Sequence, residues 1–341
     1  MFKTKTLPSV FEASNAELVD VSDSLLTGLK IGHNGRSYVV GELALLEGNA
    51  PHKGINNAPS DLDYRLLLQA ALAVTKAGAE EPMCVTTGFP SSTYAAHRDT
   101  AEELVKGTHV IDLDGRTFGK SPDTSIRVEV DQVEIIPEIE GFTFGVRQGE
   151  PRERDPFFAV GLGYGTMEAA LSLPSGIVQR TTASASGLQY ATQLMSDRLQ
   201  KEHYLDMVTE HQLDMAMRKG SIVIGRKKMD LTEMRQDVLS TYYEDIVSPT
   251  LKRAFDDADF GRARKMYVGG GGALFDELVD AFTDEFGDVL SLEVVPNPAS
   301  FISQGYALHA ADANGGHRAR AVGLDIGNAN TVINLLREES V

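Results

Sequence analysis

Three glycine-rich turns, each entered from an apolar run, are the features of this sequence best suited to holding an anion. They lie at residues 161–165 in FFAVGLGYGTMEAALSL, at residues 269–272 in KMYVGGGGALFDEL, and around Asp325, Gly327 and Asn328 near the C-terminus. Turns of this kind present successive backbone N–H groups that can surround a phosphate. The turn at 269–272 also leads into a helix, whose N-terminus favours negative charge. Three such turns in one chain predict a phosphate-bearing ligand.

The common phosphate-binding fingerprints are absent from the sequence. It contains neither GxxxxGK[ST] nor a GxGxxG followed at the usual distance by a ribose-binding carboxylate. The eight histidines show no HExxH or other paired spacing, so a zinc site is not predicted. A different kind of phosphate cradle is therefore required.

The elements around these turns alternate between strands and helices. Residues 36–45, 83–88 and 126–136 have the apolar, β-branched pattern of strands. Between the first two, Ser60 and Asp63 have capping-box spacing and predict the start of a helix with one apolar face. Residues 157–173 and 322–333 each predict strand, turn and strand. Helices are predicted to dominate residues 185–258, with a kink at Pro249.

Length and charge narrow the class of protein. A chain of 341 residues predicts two domains, and a formal charge of -17 argues against direct DNA binding. The single cysteine, Cys84, allows no intrachain disulfide, and no apolar run or leader predicts a membrane or secreted protein. We therefore expect a cytoplasmic protein. The basic cluster Arg226, Lys227 and Lys228 is interpreted as a solvated turn, with a partner contact as the alternative.

The three turns resemble the nucleotide-binding motifs of the actin superfamily. AVGLDIGNANTV is similar to the first phosphate loop, FFAVGLGYGTMEAAL to the second, and MYVGGGGALF to the adenosine motif. LPSV (7–10), YVVGELAL (38–45), VTTGFPSSTYAAHR (85–98) and VEIIPE (133–138) resemble successive segments of ParM-like plasmid actins. SASGLQYATQLM and NPASFISQGYAL resemble the helix behind the second loop and the segment closing the second domain. The resemblance implies an α/β, actin-like (ribonuclease H-like) two-domain fold with a nucleotide cleft.

The order of the motifs departs from the family, because the first phosphate loop follows the segment that normally ends the fold. We interpret this as a circular permutation, with the new N-terminus at the family's third strand. The resemblance then assigns residues 1–137 and 305–341 to domain I, with 31–80 as subdomain IB. Residues 138–304 form domain II, with 181–264 as subdomain IIB.

The resemblance also implies roles for individual residues. Asp325 matches the first-loop carboxylate that helps to hold Mg²⁺, through water, and Glu138 matches the glutamate that orients the attacking water. The second-loop aspartate of the family is replaced by Gly161, which puts the rate of hydrolysis in doubt; Glu168 is a candidate substitute, although the family's equivalent acid is structural. The nucleotide contacts implied by the resemblance are Gly327, Asn328, Ala329, Asn330, Gly163, Tyr164, Gly165, Thr166, Gly187, Gly270, Gly271 and Gly272.

The implied function is a filament-forming ATPase that binds ATP (or GTP) and Mg²⁺ and polymerises with itself. In the ParM group such proteins segregate plasmids through a DNA-binding adaptor protein, with which a net negative charge is compatible. Two alternatives stay open. One is a non-polymerising actin-fold kinase for a small molecule, and the other is a nucleotide-gated scaffold that hydrolyses little because of Gly161.

Overall fold

The computed structural model describes residues 2–54, 58–203 and 209–336, and the chain divides into two compact units. Unit 1 comprises Met1–Phe89, Thr93–Pro137 and Ile302–Val341, and unit 2 comprises Pro90–Ser92 and Glu138–Phe301. Residues 55–57 and 204–208, within the predicted subdomains, and residues 337–341, within the predicted segment 305–341, lie outside the described residues.

The strands range in length from 2 residues to 14 residues. They are β1 (Phe2–Pro8), β2 (Phe11–Ala13), β3 (Lys30–His33), β4 (Arg36–Val40), β5 (Met83–Phe89), β6 (Gly107–Leu113), β7 (Thr124–Pro137), β8 (Phe157–Leu162), β9 (Thr166–Leu173), β10 (Gly176–Ile177), β11 (Ala183–Ser186), β12 (Ser221–Ile224), β13 (Lys227–Asp230), β14 (Lys265–Gly269), β15 (Ser291–Val294), β16 (Ala321–Ile326) and β17 (Asn330–Leu336).

The helices alternate with these strands along most of the chain. They are α1 (Glu42–Glu47), α2 (Leu62–Thr75), α3 (Ser91–Val105), α4 (Glu138–Gln148), α5 (Gln189–His203), α6 (Glu210–Lys219), α7 (Thr232–Tyr242), α8 (Ser248–Ala254), α9 (Asp257–Phe260), α10 (Asp276–Phe286) and α11 (Phe301–Ala313). Among the described residues, none of the helices combines the length and the apolar character that a membrane span requires.

Unit 1 is built on a nine-stranded sheet in the order β1-β17-β16-β5-β7-β6-β3-β4-β2. Strands β16, β5 and β7 run parallel to one another, whereas β16, β17 and β1 form an antiparallel meander. Helix α11 approaches β16 at Gly323, where an added Cβ would collide with the backbone of Ser303 and Ala307. This close approach fixes the strand that leads to Asp325.

Unit 2 is built on a sheet in the order β10-β9-β8-β14-β15, in which β11 also pairs with β9. Strands β8, β14 and β15 are parallel and β9 is antiparallel to β8. All six residues of β8 are buried, as expected for a central strand covered on both faces. The parallel arrangement brings the C-terminal ends of β8 and β14, where two of the glycine turns begin, to the same edge.

Several predicted elements are confirmed. The strands predicted at 83–88 and 126–136 correspond to β5 and β7, and both predicted hairpins form, as β8–β9 and β16–β17. The strand predicted at 36–45 is half wrong, because it ends at Val40. Gly41 adopts φ 65° and starts helix α1 instead.

The predicted capping box at the start of α2 is wrong. The helix begins at Leu62 after Asp61, which makes no side-chain cap. The Asp61 carboxylate accepts a hydrogen bond from Ala58 N instead, while Asp63 contacts Nε2 of His52 at 3.0 Å. The prediction of a single apolar face also underestimated how much of α2 is buried, since nearly every residue from 66 to 75 is buried.

The kink predicted at Pro249 takes a different form. Helix α7 ends at Tyr242, a π-helical segment covers Tyr243–Val247, and α8 starts at Ser248 with Pro249 in its first turn. Proline is well tolerated there, because the N–H groups of the first turn have no partner within their own helix. The irregularity in this stretch is the π-helical segment that precedes the proline, a kind of segment at which helices often bend.

Candidate functional site

The first glycine turn joins β16 to β17 in unit 1. Asp325 lies near the end of β16, and the turn is closed by Gly327 N, which donates to the carbonyl of Asn330 at 3.1 Å. A Cβ on Gly327 would lie 2.9 Å from that same carbonyl oxygen, so glycine is required for the turn to be this tight. Asp325, Gly327, Asn328, Ala329 and Asn330 are thus adjacent, as the sequence predicted.

Ser9 anchors this turn from the neighbouring strand segment, a contact that the sequence did not reveal. Its hydroxyl donates to the carbonyl of Gly327 at 2.6 Å and lies 3.0 Å from the Thr331 hydroxyl. Its backbone N–H donates to the carbonyl of Ala329 at 3.1 Å. Two carbonyls of the turn are therefore held by a residue more than 300 positions away in the chain.

Asp325 is electrostatically unusual. Burial raises its pKa to about 7, because an ionised carboxylate loses hydration in such a place. Asp325 interacts electrostatically with Tyr64 of α2. Burial is the main cause of the raised pKa of the Tyr64 hydroxyl, and the negative charge of Asp325 raises this pKa further. A nearby positive charge would favour the ionised carboxylate, but within the described residues no group of three or more acidic, histidine or cysteine side chains is placed to hold a metal ion.

The second glycine turn joins β8 to β9 in unit 2. Gly163 N donates to the carbonyl of Thr166 at 2.9 Å, and a Cβ on Gly163 would lie 2.7 Å from that oxygen. The side chain of Tyr164 points into unit 2, where its hydroxyl lies 3.2 Å from the Thr192 hydroxyl and donates to Glu210 at 3.4 Å. The Tyr164 side chain therefore anchors the turn within unit 2. Because its hydroxyl is occupied by these contacts, the part of Tyr164 suited to contacting a phosphate is its backbone N–H.

The start of helix α5 is packed directly on this turn. Three consecutive N–H groups donate to its three carbonyls at 2.8–3.1 Å: Gly187 to Gly165, Leu188 to Gly163, and Gln189 to Tyr164. A Cβ on Gly187 would lie 2.5–2.7 Å from backbone atoms of Gly163, Tyr164 and Thr166. Contact with the turn itself thus accounts for glycine at 187, and its predicted contact with nucleotide stays a prediction.

The third glycine turn follows β14 and also contacts the second. A Cβ on Gly270 would collide with the Leu162 backbone, and one on Gly272 would lie 2.6 Å from the Cβ of Leu162, the residue before Gly163. Gly271 differs, since no atom lies within 4 Å of its added Cβ. Gly270 and Gly272 thus permit close packing on Leu162, whereas Gly271 faces open space.

Gly271 also lines a cavity of about 380 Å³ within unit 2. The volume lies at the lower end of the range for small-molecule sites, roughly 300–1,000 Å³. The cavity is lined by Leu188, Thr192, Asp214, Met217, Arg218, Arg235, Gly271, Leu274, Phe275, Asp276 and Glu277. Leu188 and Gly271 connect it to the second and third glycine turns. The lining combines apolar walls with a few charged groups, as sites for small molecules commonly do.

Two ion pairs stiffen the cavity walls. Arg235 of α7 donates to Glu277 of α10 at 2.9 and 2.7 Å and lies over the Phe275 ring, 5.9 Å from its centre. Within α6, Arg218 donates to Asp214 at 3.1 Å. None of these four charged residues belongs to a sequence motif, and they come from three helices, α6, α7 and α10.

The candidate acids lie elsewhere in unit 2. Glu138 is the first residue of α4. Glu168 is buried in β9, and its two oxygens accept hydrogen bonds from Ser91 N at 2.6 Å and Ile139 N at 3.1 Å, the first turns of α3 and α4. Burial raises the pKa of Glu168 towards 7, while both N–H groups favour its charged form. Glu168 is therefore a structural cap, and it is not suited to replace a catalytic aspartate at Gly161.

Comparison with known proteins identifies this combination of sheets and turns. Residues 2–141 match the sequence profile of the family described as the N-terminal domain of actin-like proteins. The fold is similar to that of pCBH ParM, solved as a non-polymerisable quadruple mutant, with a TM-score of 0.73, 16% identity, and coverage of 90% of this chain and 92% of that one. Residues 2–141 thus resemble the N-terminal domain of actin-like proteins, and the chain as a whole has an actin-like fold.

Two further solved structures show the same fold for this actin-like chain. One is a 15-stranded ParM filament from Clostridium botulinum (TM-score 0.72, 14% identity, 90% and 92% coverage). The other is the archaeal actin homologue Ta0583 (TM-score 0.69, 14% identity, 90% and 92% coverage), which has also been solved in complex with ADP. None of the curated protein sequences matches this actin-like protein. At these identities the structural matches establish the fold, and the predicted α/β actin-like class is confirmed.

Proposed function

We propose that this actin-like protein binds a nucleoside triphosphate and Mg²⁺ and polymerises in response. The observation that supports this best is the connection between the cavity and the second glycine turn. Leu188 lines the cavity while its N–H holds Gly163, and Gly271 lines it while its neighbours pack on Leu162. A ligand with a flat group in the cavity and an anionic chain at the turn has the form of a nucleotide, ATP or GTP.

Asp325 and the first glycine turn bind the same nucleotide in this proposal. The metal ion would neutralise phosphate charge, and Asp325 would hold it through water. The turn amides of Gly327, Asn328, Ala329 and Asn330 would contact phosphate oxygens. The residues fit this task, because Asp325 is an oxygen donor in a partly buried position and Ser9 fixes the turn that follows it.

Asp325→Asn is expected to weaken Mg²⁺-dependent nucleotide binding by roughly 10–100-fold, the usual effect of disturbing a metal site. Nucleotide-dependent assembly, followed by light scattering and pelleting with ATP and Mg²⁺, should then disappear at concentrations where the wild type assembles. Asp20→Asn, a change at an exposed carboxylate of the same unit, serves as the control. Normal assembly of Asp325→Asn would show that Asp325 is not needed to hold the metal ion.

Hydrolysis in this proposal depends on Glu138 as the residue that orients water, and it is slow because Gly161 supplies no carboxylate. The backbone at Gly161 can accept a side chain, since the nearest atom to an added Cβ is Cδ2 of Phe142 at 4.0 Å. Gly161→Asp is therefore expected to raise phosphate release by about tenfold or more, within the range contributed by a positioned acid or base.

Gly161→Ala separates this effect from backbone stiffening, because it adds the Cβ without the carboxylate. Phosphate release should stay at the wild-type rate in Gly161→Ala and fall in Glu138→Gln. Equal rates for Gly161→Asp and Gly161→Ala, with nucleotide still bound by both, would show that a carboxylate at this position has no part in the reaction.

The fold and a filament structure among the similar proteins support the proposed filament formation. We propose a homopolymer whose nucleotide state controls assembly and which segregates plasmid DNA through a separate DNA-binding adaptor protein; a charge of -17 disfavours direct contact with DNA. Electron microscopy with ATP and Mg²⁺ tests the assembly directly. A protein that stays monomeric at high concentration in every nucleotide state would refute it.

The scaffold that binds nucleotide and hydrolyses little is the second candidate, and Gly161 is the observation that favours it. Phosphate release measured with and without assembly separates the two functions. A turnover like that of ordinary actin-like ATPases would eliminate the scaffold.

We also propose that the chain is a circular permutant of the actin fold. The support is the sheet order in unit 1, where the first strand of the chain, β1, continues the meander begun by the last two, β16 and β17. Joining the present termini and reopening the chain between Ala313 and Arg318, where the loop is exposed around Gly315 and Gly316, should give a folded protein with the family's order of motifs. Circular dichroism and nucleotide binding of that rearranged chain test this.

A further inference from the structure

The basic cluster Arg226, Lys227 and Lys228 forms the end of an isolated β-hairpin. Strands β12 and β13 pair only with each other, through a turn in which Gly225 and Arg226 both have positive φ, 54° and 68°. All three cations are exposed, and Val223, directly opposite Lys228, is 68% exposed. The hairpin therefore presents one apolar side chain surrounded by positive charge.

Little of this charge is compensated within the part of the chain that the structure describes, where the pKa of Asp230 is lowered by its hydrogen bonds from Thr232 and also by the charge of Lys228. No ion pair there includes Arg226, Lys227 or Lys228, although acidic residues outnumber basic ones by 49 to 32. Three adjacent cations repel one another and contribute nothing to a two-stranded sheet. Stability of the hairpin thus gives no reason for the cluster.

Helix α10 carries the complementary surface in the same unit. Asp276, Asp280 and Asp284 are exposed and spaced four residues apart, so they form one acidic row. Carboxylates four residues apart repel, and Asp284 lies in the last turn, where the helix dipole disfavours negative charge. Across residues 2–54, 58–203 and 209–336, none of the three has an ion-pair partner. The helix dipole favours Asp276, which lies in the first turn, but helix stability accounts for neither Asp280 nor Asp284.

We infer that the β12–β13 hairpin of one copy of this chain docks on the acidic row of α10 in a second copy. The two surfaces are different, so the contact is heterologous and can continue from copy to copy as an open polymer. Opposite charges would orient the approach and set the register, and Val223 would supply a desolvated centre. This inference rests on the proposed polymerisation and names surfaces that carry it. A nucleic acid is disfavoured as the occupant, because the whole molecule repels phosphate backbones.

Charge reversal tests the contact with the full-length protein, ATP and Mg²⁺. Lys227→Glu with Lys228→Glu, and separately Asp280→Lys with Asp284→Lys, should each raise the critical concentration for pelleting by about tenfold or more, since like charges then face each other. The variant carrying all four changes should assemble close to the wild-type concentration, because complementarity is restored in the opposite sense. Lys106→Glu with Lys120→Glu, two exposed lysines of unit 1, changes the net charge equally and should assemble normally.

The outcomes separate this inference from the proposed function. Normal assembly of both reversed pairs overturns the inference while polymerisation stands. Equal loss in the unit 1 control, or no recovery in the fourfold variant, also overturns it, because net charge would then explain the loss. Wild-type protein that stays monomeric at every salt and nucleotide condition overturns both. If the hairpin variant assembles normally but no longer retards a labelled duplex DNA that the wild type retards, the hairpin belongs to a nucleic-acid contact and the inference is wrong.

Discussion

Gly271→Phe is expected to abolish nucleotide binding, with affinity reduced by roughly 100-fold or more, while the protein stays folded. The added ring meets no protein atom near its Cβ, because nothing lies within 4 Å of that position. Gly271 lines a cavity of about 380 Å³, so a ring at this position is expected to take up space that the nucleoside needs. Calorimetric titration with ATP and Mg²⁺ measures the loss, and thermal unfolding without nucleotide should differ from the wild type by less than about 1 kcal/mol.

A graded series gives the control for this prediction. Gly271→Ala adds one methyl group and should reduce affinity far less than Gly271→Phe. Gly272→Ala should behave in the opposite way and lower stability before it affects affinity, because its Cβ would lie 2.6 Å from the Cβ of Leu162. Wild-type affinity in Gly271→Phe would place the nucleoside outside this cavity.

Gly187→Ala is expected to destabilise the protein by about 3 kcal/mol and to weaken nucleotide binding as well. Its Cβ would come within 2.7 Å of backbone atoms on three residues of the second glycine turn, and backbone atoms cannot turn aside as a flexible side chain can. Overpacking of this kind usually costs about 1–3 kcal/mol and sometimes more. The three N–H bonds from the start of α5 to the turn must also lengthen. Urea unfolding without nucleotide measures the change in stability.

Gly161→Ala is the matched control, since it adds the same methyl group on the adjoining strand β8 with 4.0 Å of clearance. It should unfold within about 1 kcal/mol of the wild type. Equal urea midpoints for Gly187→Ala and the wild type would mean that the turn and helix α5 are not packed as described.

Local patterns predicted the framework of the site. Each glycine turn follows a run of buried apolar residues, and the strand period and the turn chemistry lie within about fifteen consecutive positions. This is why the hairpins at 157–173 and 322–333 were predictable. The strand predicted at 36–45 was too long because of Gly41. A positive φ at one glycine ends a strand without changing the apolar pattern of the residues around it.

The remaining features depend on contacts between distant segments. Ser9 meets Gly327 only because β1 is placed beside β17, and Arg235 meets Glu277 only because α7 and α10 pack together. From its residue type alone, Glu168 was a candidate substitute for the missing catalytic aspartate. In the structure its carboxylate instead accepts hydrogen bonds from N–H groups in the first turns of two helices. Such pairings carry no sequence period, so residue type alone could not assign them. Gly187 shows the same limit, since its glycine is required by the turn that it contacts.

A structure determined with ATP and Mg²⁺ bound, by crystallography or by electron microscopy of filaments, tests the central claim most directly. We expect the base and ribose in the cavity beside Gly271, with the phosphates at the turn of Gly163–Thr166 and the metal ion near Asp325. A nucleotide bound away from Gly271, or phosphates that contact neither glycine turn, would contradict the account.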